Sequence, residues 1–526
     1  MILNTKKLHY KVINYVKCLF CTVNKTTNYN TINDIHFNEL TSIVGSNNYL
    51  SNYKNKNNNL DKYNIDWLNK YKGCSKLVLK PSDKYQIQKI VKYCYLNNIA
   101  IVPQGGNTGL VGGSIPVFDE IIVSTERLNK IVSLDEQFCY NSQHSLFNTN
   151  NFQKEYVIHT ESGVILEEVN DKLESINKVF PLDLAAKGSC TVGGNIATNA
   201  GGIHFIKYGS LKNNCVEITL INGKGDIINL NENNEYFNLK NLVIGSEGTL
   251  GIISDIKVKT YKKDLFKNLM LIRLPSFEYV KDIYKQVKLD SQFINYISAI
   301  EFFDSKCKYM TNKYLNLDFP ELFNKTDNKI NNDFYLLLEV SSDNEEFNNN
   351  LLIEFINNLS TNYNQQKFDI EYNVLLCQDI NQFNSIWALR ERIAEAGVKK
   401  GLCLKYDISL NLDNMYEIVN IIEEKVNNLA DVIGYGHVGD NNLHLNICLE
   451  GYEKNSTYYK VLSAVEPFIF EYLKSVNGSI SAEHGIGQSK SKYLTYTQSE
   501  TNVNLMKKIK HIFDPNSIMN PYKIFI

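Results

Sequence analysis

Three glycine-rich stretches constrain this chain more than any other feature. They are PQGGNTGLVGGS (103–114), KGSCTVGGNIATNAGG (187–202) and IGSEGTLGII (244–253). Glycine has no Cβ and accepts φ > 0, so such turns let the backbone approach a ligand or another turn closely. Successive N–H groups can then converge on an anion such as a pyrophosphate. The first stretch directly follows the strand-like run IAIVP (99–103). None of the three has the GxGxxG spacing of a Rossmann dinucleotide site or the GxxxxGK[ST] spacing of a P-loop. One such stretch alone reads as a tight turn. Three together suit a site that wraps a long, flat, polar ligand with backbone.

The chain has 526 residues, of which 43% are hydrophobic and 21% charged, enough apolar material for more than one cored domain. Lys+Arg is 55 and Asp+Glu is 57, for a net charge of −2. A nucleic-acid partner is not expected without a basic excess. There is no apolar run of the roughly 18 residues or more that a transmembrane helix needs. The 11 cysteines are odd in number and scattered, which fits free thiols in a reducing compartment. Cys18 and Cys21 have CxxC spacing without a second CxxC.

The first acidic residue is Asp34. Before it, Lys7, Lys11, Asn14 and Lys17 recur at helical spacing among Leu8, Val12, Ile13, Val16, Leu19 and Phe20. Residues 1–33 therefore read as a basic amphipathic targeting segment of the organellar kind. Residues 34–65, Asn-rich from 45 onward, read as a linker. Residues 66–265 hold the glycine-rich turns. Over 266–495 strand-like and helix-like segments alternate, as in NLMLIRL before FEYVKDIYKQV, which points to a second, α+β domain. Residues 496–526 form a C-terminal segment. The polar pieces 137–156 and 324–333 read as surface loop insertions.

A second chemical signal lies near the C-terminus. Of nine histidines, His437, His444 and His484 fall between 437 and 484. VIGYGHVGDNNLHLNICLE (432–450) reads as strand, turn, strand. A turn centred on Asp440 and Asn441 makes His437 and His444 a cross-strand pair, with Cβ atoms roughly 4.5–5.5 Å apart. Two imidazoles at that distance can share a divalent metal. Asn446 lies on the same strand face as His444. SAEHG adds Glu483, a candidate third ligand, with His484 beside it. The plainer alternative is a pair of hydrogen-bonded strand histidines. A His₂Glu set leaves an open coordination position, so these residues alone also fit a zinc hydrolase, which would leave the glycine-rich turns without a purpose.

The chain carries only four arginines, Arg127, Arg273, Arg390 and Arg392, and uses lysine elsewhere. An arginine here points to a need for the rigid guanidinium fork. In WALRERIAEAGV the apolar positions have helical spacing, so Arg390 projects from a helix. Lys405 opens the strand-like KYDISL and supplies a second cation. The alternative for both is an ordinary solvated charge.

PQGGNTGLVGG, GGNIATNAGG, GSEGTLGI and the C-terminal DPNSIMNPYK (514–523) together resemble the FAD-linked oxidases of the vanillyl-alcohol-oxidase/p-cresol-methylhydroxylase flavoprotein superfamily, from about Lys76 to the C-terminus. The resemblance implies an α+β fold. It has a two-part FAD-binding domain, an α+β substrate (cap) domain, and a C-terminal segment that returns to the FAD domain. It implies FAD contacts from Pro103, Gly105, Gly106, Asn107, Thr108 and Gly109. Further contacts come from Gly193, Gly194, Asn195, Thr198, Asn199, Gly201 and Gly202, and from Gly248, Ile252 and Asn520. Some relatives attach FAD covalently through a histidine in the first glycine-rich loop. The loop here has none, so non-covalent FAD is expected.

GYGHVGDNNLHLN, SAEHGIG and LRER…KYDISL resemble the D-2-hydroxyacid dehydrogenase branch of that superfamily, and within it the mitochondrial D-2-hydroxyglutarate dehydrogenases. Carried over by motif, His437, His444 and Glu483 match ligands of Zn²⁺. Asn446 and His484 match groups at the reacting end of the substrate, with His484 as the catalytic base. Arg390 and Lys405 match groups that hold the distal carboxylate. The implied reaction is oxidation of D-2-hydroxyglutarate to 2-oxoglutarate, with metal-assisted deprotonation of the hydroxyl and hydride transfer to FAD. Many relatives carry Thr four residues after this arginine, where the chain has Ala394. D-lactate, glycolate or another short hydroxy acid therefore stays open as the substrate. A binding module that keeps the fold without turnover is the non-enzymatic alternative. The resemblance further implies the mitochondrial matrix and an electron-transfer flavoprotein as electron acceptor, and a homodimer stays open.

Overall fold

A computed structural model describes residues 29–53, 59–140, 152–231, 238–323, 333–362 and 370–525. Residues 1–28 of the expected targeting segment, and the centres of both expected loop insertions, lie outside the described residues. Among the described residues no helix is long and apolar enough to cross a membrane.

The described residues of 34–65 are not a linker. Helix α1 (Asp34–Val44) is capped by Asn33, whose side chain accepts from the His36 N–H. It buries Leu40 and Val44 in the core of the first sheet. Strand β1 (Tyr49–Ser51) pairs antiparallel with β2 (Leu77–Leu79). Asparagine dominates this stretch by count, but a few spaced apolar residues are enough to dock short elements. Average composition hides them.

In the first sheet the order is β1-β2-β4-β3, with β3 spanning Ile101–Gln104 and β4 Ile121–Ser124. Strands β2, β4 and β3 run parallel, which demands a crossover. Helix α2 (Lys84–Leu96) supplies one between β2 and β3. Asp83 caps it by accepting from Tyr85 and Gln86 N–H, and Ile87, Ile90, Val91 and Cys94 bury at helical spacing. The C-terminal end of β3 runs into the first glycine-rich turn.

The second sheet is antiparallel. Its strands are β5 (Ile131–Tyr140), β6 (Phe152–Glu161), β7 (Lys178–Val179), β8 (Cys215–Asn222), β9 (Ile227–Asn231) and β10 (Gly251–Lys262). The order is β5-β6-β10-β8-β9, with β7 on β10. Much of the piece expected as a loop at 137–156 is instead the far end of the β5–β6 ladder, paired out to Tyr140 and Phe152. Helix α3 (Val192–Thr198) carries the second glycine-rich stretch.

The third sheet has seven strands: β11 (Phe266–Leu274), β12 (Ile297–Asp304), β13 (Phe334–Ser342), β14 (Val374–Leu376), β15 (Cys403–Ser409), β16 (Asp431–His437) and β17 (Asn442–Cys448). Their order is β14-β11-β13-β12-β16-β17-β15, with antiparallel neighbours throughout. Period-two alternation gives the sheet two different faces. Leu336, Leu338, Ile408, Leu443, Leu445 and Ile447 point into one core. The opposite face carries Leu337, Phe303 and Tyr435 against Trp387, Leu389 and Ile393 from helices α4 (Ile380–Glu391) and α5 (Ile393–Lys400).

The C-terminal segment closes back onto the first sheet. Ile101 N–H donates to Ile518 O at 2.8 Å, and Asn520 N–H donates to Ile101 O at 2.7 Å. Helix α6 (Glu500–Phe513) ends at Asp514, which is fully buried. Its carboxylate accepts from Ile518 and Met519 N–H and from Lys510 Nζ, the last at 2.8 Å. Removing one partner of a buried pair leaves the other charge uncompensated. Asp514→Ala is expected to lower stability by about 3 kcal/mol, read as an earlier urea midpoint for flavin release in the purified holoprotein.

Candidate active site

The three glycine-rich stretches converge on one cleft. Pro103, Gly105, Gly106, Asn107, Thr108 and Gly109 line it from the first turn. Gly193, Gly194, Asn195 and Thr198 line it from α3, and Gly248 and Ile252 from the third turn. Gly106 and Gly193 are required by contact, whereas a Cβ on Gly109 would meet nothing within 4 Å. A Cβ on Gly106 would lie 2.0 Å from the carbonyl oxygen of Ser189, so only glycine lets the first turn pack on the second. Asn199, Gly201, Gly202 and Asn520 do not line the cleft. Asn199 ends α3 in the left-handed region. Gly201 leaves room for Glu483, whose Oε2 would lie 2.9 Å from a Cβ there, and Gly202 packs against the Asp183 carbonyl. Asn520 donates to Gly113 O and Glu247 O and so ties the C-terminal segment to the cleft wall.

His484 lines the same cleft and is the link to the second cluster. That cluster stands on one face of the third sheet. In NLHLNIC the odd positions Leu443, Leu445 and Ile447 are core, which turns His444 and Asn446 to the other side. The same alternation turns Lys405 and Asp407 of β15, Tyr435 and His437 of β16 and Glu301 of β12 to that face. His437 and His444 are not directly opposed as expected. The register pairs His437 with Asn442 and Tyr435 with His444. A 3₁₀ turn at Val438–Asp440, closed by Asn441 at φ 62°, lengthens the connection from the expected two residues to four. The two histidines are diagonal neighbours on one face, with Nε2 atoms 3.4 Å apart.

Glu483 Oε1 lies 3.9 Å from His437 Nε2 and 3.6 Å from His444 Nε2. Donors around a tetrahedral zinc at roughly 2.0–2.2 Å stand roughly 3.3–3.6 Å apart, so this set fits a divalent cation. Glu483 Oε2 is buried with no hydrogen-bond partner, as a carboxylate waiting for a cation would be. Asp407, His444, Glu483 and His484 also offer donor atoms within 4.8 Å of one another. Asp407 Oδ1 is likewise buried with no hydrogen-bond partner, but its Oδ2 is occupied by the loop. It accepts from Ala482, Glu483 and His484 N–H at 3.1, 3.1 and 2.8 Å and from Ser481 Oγ at 3.2 Å.

Glu247, in the third glycine-rich turn, holds the other end of that loop. It accepts from Ile486 and Gly487 N–H at 2.6 and 2.7 Å. Sequence reasoning missed both carboxylates. The available signals were Asp407 two residues after Lys405 on one strand face, and Glu247 as the lone acid inside a glycine-rich turn.

Glu301 was missed as well. It is fully buried, opposite His437 in the β12–β16 register, with Oε1 2.6 Å from His437 Nδ1. Arg390 is not a projecting solvated side chain. It is only 5% exposed, and its guanidinium lies 4.8 Å over the Tyr435 ring. Its Nη2 is 2.7 Å from Glu301 Oε2, close enough to pair but poorly aligned, so Nε and Nη2 both lack a hydrogen-bond partner. Lys405 stands opposite Asn446 across β15–β17 and has no ion pair among the described residues. Asn446 donates to Tyr435 OH at 3.0 Å.

The electrostatics separate the two histidines. Burial alone would lower His437, but Glu301 and Glu483 outweigh it and hold the imidazolium well above its ordinary range. Burial pushes His444 down to about 3, helped by the positive charges of His437 and Arg390 against the pull of Glu483. Burial would raise Glu483, yet the three surrounding histidines hold it at about 2.

The FAD binding domain family matches residues 75–231, and the C-terminal domain of FAD linked oxidases matches 266–524. D-2-hydroxyglutarate dehydrogenase, mitochondrial, of Arabidopsis thaliana is 38% identical over 469 residues, covering 88% of this chain and 78% of that one. A Schizosaccharomyces pombe relative that carries a mitochondrial D-lactate dehydrogenase name is 36% identical over 480 residues, covering 88% and 84%. A solved alkyldihydroxyacetonephosphate synthase superposes with a TM-score of 0.68 over 95% of this chain and 86% of that one, at 15% identity, a likeness of fold. The chain belongs to the FAD-linked oxidase family and is an FAD-dependent dehydrogenase. Within the family its relatives set it in the group that holds the D-2-hydroxyglutarate dehydrogenases.

Gly106→Ala tests the cleft. Forcing a Cβ against Ser189 O should separate the first two turns, and the variant is expected to purify folded by far-UV circular dichroism but without flavin absorbance.

Proposed function

We propose that the protein oxidises D-2-hydroxyglutarate to 2-oxoglutarate where the flavin cleft meets the histidine cluster, with FAD bound non-covalently. The observation that carries this reading is His484. It lines the flavin cleft, and its Nε2 is 3.7 Å from Glu483 Oε1 in the cluster. When bound, FAD supplies the two-electron acceptor, and Zn²⁺ supplies Lewis acidity at the substrate hydroxyl.

His437 and His444, through Nε2, and Glu483 would hold the cation. His484 takes the hydroxyl proton as general base. Asp407 Oδ2, 3.8 Å from His484 Nδ1, stabilises the positive charge that the ring gains. Asn446 orients the reacting end from the same strand face as His444. Arg390 and Lys405 receive the second carboxylate. The buried donors on Arg390 support this role, because an unsatisfied buried donor costs about 1–3 kcal/mol and a bound carboxylate removes that cost. Two cations beyond the metal ligands suit a diacid better than a monoacid.

Ala394, on α5, favours a second reading. It offers no hydroxyl to the distal carboxylate, and a short substrate such as D-lactate needs none. The reading extends to the mitochondrial matrix, with an electron-transfer flavoprotein as electron acceptor. The acid-free, lysine-spaced start of the chain supports the location.

Two substitutions test the assignment. His484→Ala is expected to lower kcat by about 10²–10⁴-fold while 2-oxoglutarate binding, followed by flavin absorbance, changes far less. Near-normal turnover would move the base elsewhere. Arg390→Ala is expected to cut kcat/KM for D-2-hydroxyglutarate by at least about tenfold and to leave any D-lactate rate nearly unchanged. A wild-type preference for D-lactate, or equal damage to both substrates, would hand the assignment to the short-acid reading.

A further inference from the structure

We propose that Glu301 is a positioning residue shared between the metal cluster and the carboxylate clamp, so that its one charge is divided between His437 and Arg390. The inference rests on the reading of those two sites given above.

Glu301 lies in the middle of β12 and is fully buried. A buried carboxylate must be paired, and this one is paired twice, to groups with different tasks. Oε1 is 2.6 Å from His437 Nδ1 and Oε2 is 2.7 Å from Arg390 Nη2. Once the imidazolium gives up its Nε2 proton to an arriving cation, the first contact keeps the remaining proton on Nδ1. That leaves the Nε2 lone pair facing His444 and Glu483, where a cation would sit. A carboxylate behind a metal-bound imidazole also raises its basicity, and loss of such a partner typically weakens metal binding about 10–100-fold.

The second contact works the other way. A negative charge beside the guanidinium offsets part of the attraction that Arg390 offers to an incoming carboxylate. It also fixes the guanidinium above Tyr435, with donors to spare. The two partners therefore compete for Glu301. Anything that removes Arg390 from the pair turns the whole charge toward His437. Anything that removes the charge weakens the metal ligand but not the anion clamp.

The test uses the purified FAD-loaded protein, stripped of metal and titrated with Zn²⁺ against a chromophoric chelator. Glutarate affinity is measured separately on the metal-free form by flavin absorbance. Glu301→Gln keeps the shape and removes the charge. Its zinc affinity should fall by at least about tenfold, while glutarate should bind as tightly as to wild type or more tightly. A Glu301 that merely supports the fold would lower both affinities together, and that result would overturn the proposal. Unchanged zinc affinity in Glu301→Gln would overturn it too. Arg390→Ala supplies a second arm should Glu301→Gln fail to fold. It should tighten zinc by about fivefold or more, the usual lower bound for coupled sites. Zinc affinity unaltered or weakened in Arg390→Ala would show that no charge is shared. A wild type that binds no zinc at all would defeat the metal-site reading itself, a distinguishable outcome.

Discussion

A single buried carboxylate, Asp407, holds the loop on which the reaction centre depends. It is 1% exposed, and the backbone N–H groups of Ala482, Glu483 and His484 converge on its Oδ2. Three consecutive amides aimed at one anion fix the loop through backbone electrostatics rather than side-chain packing. Burial by itself would raise the acid, but His484 and Lys490, with His444 and the amides, hold it well below the usual carboxylate range. A carboxylate that stays charged at working pH keeps Glu483 and His484 beside His444. Glu247 then carries the same loop across to the flavin cleft. His484 and the cleft wall are thus held by one anchored segment.

A second buried carboxylate joins the flavin domain to helix α4. Glu339 lies 3.3 Å from His204, just past the second glycine-rich stretch, and 3.5 Å from Lys267 at the start of the third sheet. It also accepts from Trp387 Nε1 at 3.0 Å and Ser298 Oγ at 2.6 Å. Trp387 and Arg390 share α4, so the group that meets the flavin domain also sets the helix that presents the guanidinium. Lys267 and His204 hold Glu339 at about 2 against its burial. Glu301, Glu339 and Asp407 share one face of one sheet: Glu301 and Glu339 both reach α4, Glu339 also meets the flavin domain, and Asp407 holds the 482–484 loop.

The parts of the site that were legible in the sequence are those whose signal is local. Gly106, Gly193 and Gly202 betray close backbone approach because a Cβ at each would collide with a neighbouring backbone. The alternation in NLHLNIC marks which strand face carries His444 and Asn446, because the period of a strand is two. The short elements within 34–65 were missed. Helix Asp34–Val44 carries apolar residues at helical spacing that the reading of 34–65 as one linker passed over, and from 45 onward the few apolar residues do not stand out against asparagine. The hairpin register was missed by two residues, because it depends on the conformation of the 438–441 turn and not on the pattern of the strands.

By itself the sequence determined the flavin fold, the glycine-lined cleft and the set of histidines, glutamate and cations brought to one face. The cleft follows from steric need at single positions and the strand face of His444 and Asn446 from periodicity, whereas the flavin fold and the grouping of Glu483, Arg390 and Lys405 with it came from the resemblance of their motifs to a known family. Only the tertiary structure decided how the groups are charged and paired. Glu301 reaches His437 through the β12–β16 pairing and Arg390 through the docking of α4, and Asp407 meets its amides across the fold. Such partners are distant in the chain and leave no local pattern, because a buried charge is satisfied by whatever the packed fold brings within hydrogen-bond reach.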